Sequence, residues 1–302
     1  MDAAIFFQQV VNGMSLGSMY ALIAIGYTMV YGVLRLINFA HADIMMVGAF
    51  LALFGTTYFA LPFGAAILFA VLFSALLGVC IDQIAYRPLR GASKISMLIT
   101  AIGVSFFLEN LFAVLFGGSP RFFETPPFFN RTITFGSIII TNVAWIVPLV
   151  TLVTLVLLAG ILFILYRTRQ GMAIRAVAFD VNTVRLMGID ANHIIAFVFA
   201  LGSSLAALGG IFYATSYPTI DPLMGVLIGL KAFAAAVLGG IGSVTGAVIG
   251  GFILGFTEVV AVAAVPELGG YKDAFAFMFL ILVLLFRPVG IMGDERLERS
   301  RF

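Results

Sequence analysis

Long apolar runs, separated by short polar or glycine-bearing breaks, dominate the chain. A bilayer core takes about 20 consecutive apolar residues per helix. On that ruler the pattern predicts spans near 12–33, 42–60, 63–85, 95–117, 143–166, 194–217, 223–240, 243–265 and 273–287. Polar or glycine residues interrupt the second and seventh, so eight crossings plus a broken or re-entrant segment fit equally well. No stretch shows the ten-residue alternation of an outer-membrane strand. The predicted fold is therefore all-α: a polytopic transmembrane helical bundle of about 8–9 spans, forming a single membrane domain over residues 1–302.

Composition sharpens the class. Of 302 residues, 62% are hydrophobic and 10% charged, and the mean hydropathy is +1.16. Soluble domains carry roughly 25% charged residues, so a water-soluble globule and a disordered chain are both excluded. One cysteine, Cys80, excludes an internal disulfide framework and a multi-cysteine metal site. A net charge of +2 argues against a nucleic-acid partner. Residues 1–34 contain no Lys or Arg, so the basic region of a signal peptide is missing and the first run reads as a retained helix.

Basic residues mark the cytoplasmic side of a membrane protein. They cluster at Arg87, Arg90 and Lys94, at Arg167, Arg169, Arg175 and Arg185, and at Arg287, Arg296, Arg299 and Arg301. Alternating spans put all three clusters on one side, and Arg35 joins them if the N-terminus is outside. The opposite loop, 118–141, carries only Arg121 and Arg131 and is rich in Pro and Phe, as an amphipathic interfacial segment would be. Small residues recur every four positions at Gly13, Gly17 and Ala21, at Gly202, Ala206 and Gly210, at Gly242, Gly246 and Gly250, and at Gly251 and Gly255. That interval lets helix backbones approach closely in lipid. It suits plain bundle packing, and it also suits a thin wall around a pathway.

The polar stretch 167–193 is too hydrophilic to span and too long for a plain connection. Ala173, Ile174, Ala176 and Val177 suit one short helix. Asp180 can cap a second, Gly188 can end it, and Asp190 can cap the next span. Such a loop is either a stiff hairpin between spans or a docking element for a soluble partner. An external motor is consistent with the rest of the sequence, because Lys94, Lys231 and Lys272 do not sit in a phosphate-loop pattern. The run GGIGSVTG (239–246) matches such a loop in glycine content alone.

Ionisable residues within spans are costly and mark function or pairing. The candidates are Asp43, Asp82, Glu109, Lys231 and Glu258. Asp82 is expected to be solvated near a span end and Asp43 to be interfacial. Lys231 is expected to pair with Glu109 or Glu258; the alternative is a polar path or proton relay. His41 and His193 sit at span ends, and neither they nor any Ser has partners for a hydrolytic triad, so no catalytic residue, metal site or bound cofactor is expected.

Three long segments carry a resemblance: NGMSLGSMYALIAIGYTMVYGVLRLINFAHADIMMVGAF (12–50), AYRPLRGASKISMLITAIGVSFFLEN (85–110) and GLKAFAAAVLGGIGSVTGAVIGGFILGFTE (229–258). With GMAIRAVAFDVNTVRLMGI (171–189) and the closing RPVGIMG (287–293), nearly the whole chain resembles the shorter permease subunit of bacterial branched-chain amino acid ABC importers. Ala42 departs from the glycine expected in FAHAD.

The resemblance implies an inner-membrane subunit pairing with a second, similar permease. It further implies two cytoplasmic ATPase subunits that bind the ATP, and a periplasmic amino-acid-binding protein. The loop residues Gly171, Met172, Arg175, Val177, Phe179, Asp180, Arg185 and Gly188 would then dock the ATPase. Asn38, His41, Gly239, Gly240, Ser243 and Thr245, at the two interruptions, are the candidate pathway lining. Importers of urea, amides or small aromatic acids share this pattern. A stand-alone secondary transporter is the competing class; inverted repeats would support it, and the sequence has no clear duplicated motif.

Overall fold

The structure is a computed structural model that describes residues 3–126, 133–135, 138–140, 143–264 and 266–293. Arg131, Arg296, Arg299, Arg301 and part of the expected interfacial segment 118–141 lie outside the described residues. The chain forms α1 (Ala3–Leu34), α2 (Ala40–Thr57), α3 (Phe63–Ile81), α4 (Lys94–Phe116), α5 (Val143–Arg167) and α6 (Arg169–Phe179). It continues with α7 (Val181–Leu186), α8 (Ala191–Ser216), α9 (Met224–Gly239), α10 (Val244–Ala264) and α11 (Lys272–Phe286). The described residues also include four short strands, β1 (Arg121–Phe122), β2 (Ile133–Phe135), β3 (Ile138–Ile140) and β4 (Thr219–Ile220), and a 3₁₀ turn, Pro266–Tyr271. β1 pairs antiparallel with β4, and β2 with β3.

Among the described residues, eight helices are long and apolar enough to cross a membrane: α1 to α5, α8, α10 and α11. The polytopic helical bundle follows. The seventh apolar run gives α9, whose 16 residues reach about 24 Å, short of the roughly 30 Å hydrocarbon core. α9 folds back on α10 as a hairpin, with Gly239 against Gly246 and Ala235 against Gly250. Helix α3 does not stop at Ile81. It runs on through a π-helical turn, Asp82–Tyr86, and a 3₁₀ turn, Arg87–Leu89.

Helix α1 is the buried centre, with Met19 to Ile25 all within the core. The small-residue rows are packing devices here. Gly13 and Gly17 of α1 meet Phe256 and Phe252 of α10, and a Cβ on Gly255 would press on the backbone of Gly17. On α8, Gly202 faces Gly26 of α1 and Gly210 faces Met45 of α2. Helices α3, α4, α5 and α11 lie outside this centre and present apolar side chains such as Leu72, Phe107, Phe163 and Leu285 to their surroundings.

The basic segments meet at one end of the bundle. Arg90 forms an ion pair with Asp82 and donates to Asn192 Oδ1 at 2.5 Å, tying the loop after α3 to the start of α8. Arg35 follows α1 with a left-handed φ of 52° and donates to Ala178 O at 3.2 Å, tying α1 to α6. The chain after α11 returns to the α9–α10 turn, where the amides of Ile291 and Met292 bond the carbonyls of Leu238 and Gly239, both at 2.9 Å. Gly240 and Gly290 abut there with φ of 103° and 82°, so glycine is needed on both sides of this strap.

Candidate coupling face and polar centres

The stretch between α5 and α8 is an elbow of two short helices. Thr168 caps α6 by accepting the Gly171 amide at 3.1 Å. A Cβ at Gly171 would drive into the carbonyls of Ile164 and Leu165, so glycine permits the sharp corner after α5. Asp180 begins α7: its carbonyl accepts the Val184 amide, and its carboxylate accepts the Thr183 hydroxyl at 2.5 Å. Gly188 ends the elbow at φ 79°, and Asp190 caps α8 by accepting the Asn192 amide at 2.9 Å.

Helical spacing divides α6 into two faces. Gly171, Ile174 and Val177 are buried against the bundle. Met172 is 63% exposed and Phe179 also projects outward. Val177 was expected at the docking surface, but it lies on the inward face and anchors the elbow instead. Leu186 at the end of α7, 89% exposed, and Met187 just after it extend the outward apolar ridge; the extended backbone of Asp180 separates them from α6, so spacing along one helix could not have joined them to Phe179. Arg175 stacks over the Tyr166 ring at 5.1 Å, and Arg185 lies in the last turn of α7.

Behind the elbow is a cavity of about 470 Å³ between the end of α1, α5, α6, the α9–α10 turn and the strap. Ser243 lines it, whereas Gly239 and Gly240 are buried in the turn beneath the strap. Thr245 is half-buried in the first turn of α10. The first interruption, Asn38–His41, folds inward. Asn38 Oδ1 accepts the Tyr86 hydroxyl at 2.6 Å, and a His41 ring nitrogen lies 3.2 Å from Ile23 O. The His41 ring occupies the notch left by Gly26 and meets Tyr27 edge-on. The π-turn brings Tyr86 to Asn38, and such turns cluster at functional sites. Replacing Tyr86 by Phe leaves Asn38 Oδ1 buried without that donor; the expected loss is about 1–3 kcal/mol, read as a lower melting temperature in detergent.

Two polar centres are buried in the spans. In one, Lys231 Nζ of α9 lies 2.8 Å from Glu258 of α10 and 2.5 Å from Asp273 of α11, while Tyr20 of α1 donates to Glu258 at 3.0 Å. In the other, Ser105 of α4 donates to Asp43 of α2 at 2.5 Å, with Glu109 at 3.5 Å. Glu109 was expected to be available to Lys231, but α4 packs on α2, so its neighbour is a hydroxyl and not the amine. Asp43 is 1% exposed, not interfacial, because the Asn38–His41 break tucks the start of α2 into the bundle. Asp82 is likewise 1% exposed and is held by Arg90 instead of water.

A family model described as branched-chain amino acid transport system / permease component matches residues 9–284. The chain belongs to this permease family. It is 41% identical over 304 residues to the high-affinity branched-chain amino acid transport system permease protein BraD of Pseudomonas aeruginosa, covering 97% of this chain and 98% of that protein. It is 41% identical over 307 residues to LivH of Escherichia coli K12, a permease protein of the same description, covering 97% of each. The probable branched-chain amino acid transport permease LivH of Methanocaldococcus jannaschii is 28% identical over 298 residues, covering 92% of this chain and 90% of its own length. The permease match thus takes in the elbow, both interruptions and both polar centres.

Proposed function

We propose that this permease is the membrane subunit of an ATP-driven importer in a bacterial inner membrane, and that it forms a path for branched-chain or other hydrophobic amino acids together with a second, similar permease. Two ATPase subunits would engage the arginine-bearing end, and a periplasmic binding protein would deliver substrate at the other. The relatives' high-affinity branched-chain amino acid transport supports the substrate class. The observation that carries the ATPase reading is the elbow: an apolar ridge of Met172, Phe179, Leu186 and Met187 on the water-facing side of short, capped helices. Exposed apolar ridges of this kind mark protein contacts. Arg175, Asp180 and Arg185 would orient the partner around the ridge. The Asn38–His41 and Gly239–Ser243 breaks, with Thr245, are the candidate path-facing elements. The buried Asn38 Nδ2, which has no partner among the described residues, supports that placement of the first break.

The test replaces Met172 and Leu186 together by Asp. Both side chains are exposed, so the melting temperature of the solubilised chain should stay unchanged. Apolar anchors at interface hot spots are worth about 2 kcal/mol each, so losing two should lower co-purification with the ATPase and ATP-dependent uptake about a thousandfold. Unchanged assembly and uptake would remove the docking role. Uptake of labelled leucine against urea, amides and aromatic acids by the reconstituted complex decides the substrate class.

A further inference from the structure

The cavity behind the elbow, which shares Arg175 and Ser243 with the proposed docking and path elements, holds a combination of charges that neither role explains. Arg35 and Arg175 stand at its rim, and no Asp or Glu is among its described lining residues. Its walls are mainly apolar, with Val33, Val237, Val244 and Val289 among them, and add the hydroxyl-bearing Thr28, Tyr31, Tyr166 and Ser243. One polar atom is left over: the hydroxyl of Thr28, a lining residue 1% exposed, has no hydrogen-bond partner among the described residues. A buried hydroxyl left unpaired costs about 1–3 kcal/mol. Arg35 also holds its left-handed backbone at this spot, a conformation that costs on the order of 1–3 kcal/mol for a non-glycine residue.

We propose that this cavity binds the headgroup of an anionic phospholipid from the leaflet at the arginine-bearing end. Two guanidiniums with no Asp or Glu among the described lining residues fit a phosphodiester, and basic pockets between transmembrane helices bind such headgroups. A zwitterionic amino acid fits poorly, since its ammonium would lie beside two positive charges with no carboxylate among the described lining residues to meet it. The span of the site separates a lipid from free phosphate. Thr28 is seven residues before Arg35, about 10 Å deeper along a helix axis. An ion held by the arginines stays well short of Thr28, whereas a glycerol ester below the phosphate would lie beside it and pair with its hydroxyl once that side chain, sealed in this structure, turns into the cavity; the valine walls would then take the first acyl carbons. Tyr166, 63% exposed beside Arg175, gives the cavity an aromatic lip of the kind that sits at headgroup level.

The experiment is native mass spectrometry of the full-length chain taken from nanodiscs containing equal phosphatidylglycerol and phosphatidylcholine. One phosphatidylglycerol should be retained per chain. Arg35→Gln with Arg175→Gln should cut that retention about thirtyfold, Thr28→Val several-fold less, and Arg35→Lys with Arg175→Lys should keep most of it. If the double variant fails to fold, Arg175→Gln alone decides, because Arg175 is exposed. Equal retention of both lipids would overturn the proposal, as would unchanged retention in a folded Gln variant. Displacement of the lipid by millimolar inorganic phosphate, or its appearance only when residues 294–302 are removed, would also overturn it, in favour of a free anion or of the carboxylates of Asp294, Glu295 and Glu298 in the chain's own C-terminal residues. The readout is lipid and not transport, so its failure leaves the importer reading untouched.

Discussion

Gly255→Val should destroy the fold of this permease. A Cβ at this position meets the amide and Cα of Gly17 and the carbonyl carbon of Leu16, all backbone. No flexible side chain can yield, so α10 must slide away from α1 along a seam that includes Gly13, Gly17 and Gly251. Overpacking a well-filled core costs typically 1–3 kcal/mol; with rigid atoms on both sides the expected loss is at least about 3 kcal/mol. It should appear as loss of the monodisperse peak in detergent and a melting temperature lowered by many degrees. Gly160→Val supplies the control, since a Cβ there meets nothing within 4 Å. A normal melt for Gly255→Val would show that the α1–α10 seam is looser than described.

The second large effect belongs to Lys231. Its amine is shared by Glu258 and Asp273, and Tyr20 supplies a hydrogen bond to Glu258 and a ring face 5.8 Å from Nζ. Lys231→Met leaves two carboxylates without their cation, one of them deeply buried. Breaking a buried pair by removing one partner costs about 3–5 kcal/mol. Lys231→Met combined with Glu258→Gln should recover part of that loss, because the stranded charge is gone. The measurement is a double-mutant cycle on thermal stability in detergent. Additive losses would mean that the two residues act independently and that the cluster does not join α9, α10 and α11.

The spans were legible because apolar runs of bilayer length have few other uses, and the breaks at 35–39 and 240–243 showed as polar and glycine interruptions. Hydropathy could not decide α9, which is apolar enough but short. Its status rests on the hairpin with α10, and that is a tertiary fact. The partner of Lys231 was narrowed to two carboxylates but not chosen, since periodicity assigns a residue to a face without saying which helix covers it. The same gap made Asp43 look interfacial, because its partner Ser105 lies 62 residues away; Asp82 looked solvated although its cation, Arg90, is only eight residues on. Val177 is different. Its spacing from Gly171 and Ile174 already placed it opposite Met172, so its inward position was available from the pattern of α6 alone.

The strap after α11 bears on biogenesis. The carbonyls of Leu238 and Gly239 at the end of α9 receive their donors from Ile291 and Met292, which the ribosome makes only after two further transmembrane helices. Until then the α9–α10 hairpin enters the bilayer with an unfinished corner, and local sequence cannot complete it. Closure of that corner is therefore a post-insertion event, and a nascent chain stalled before residue 291 would present the quality-control machinery with a helix end still open.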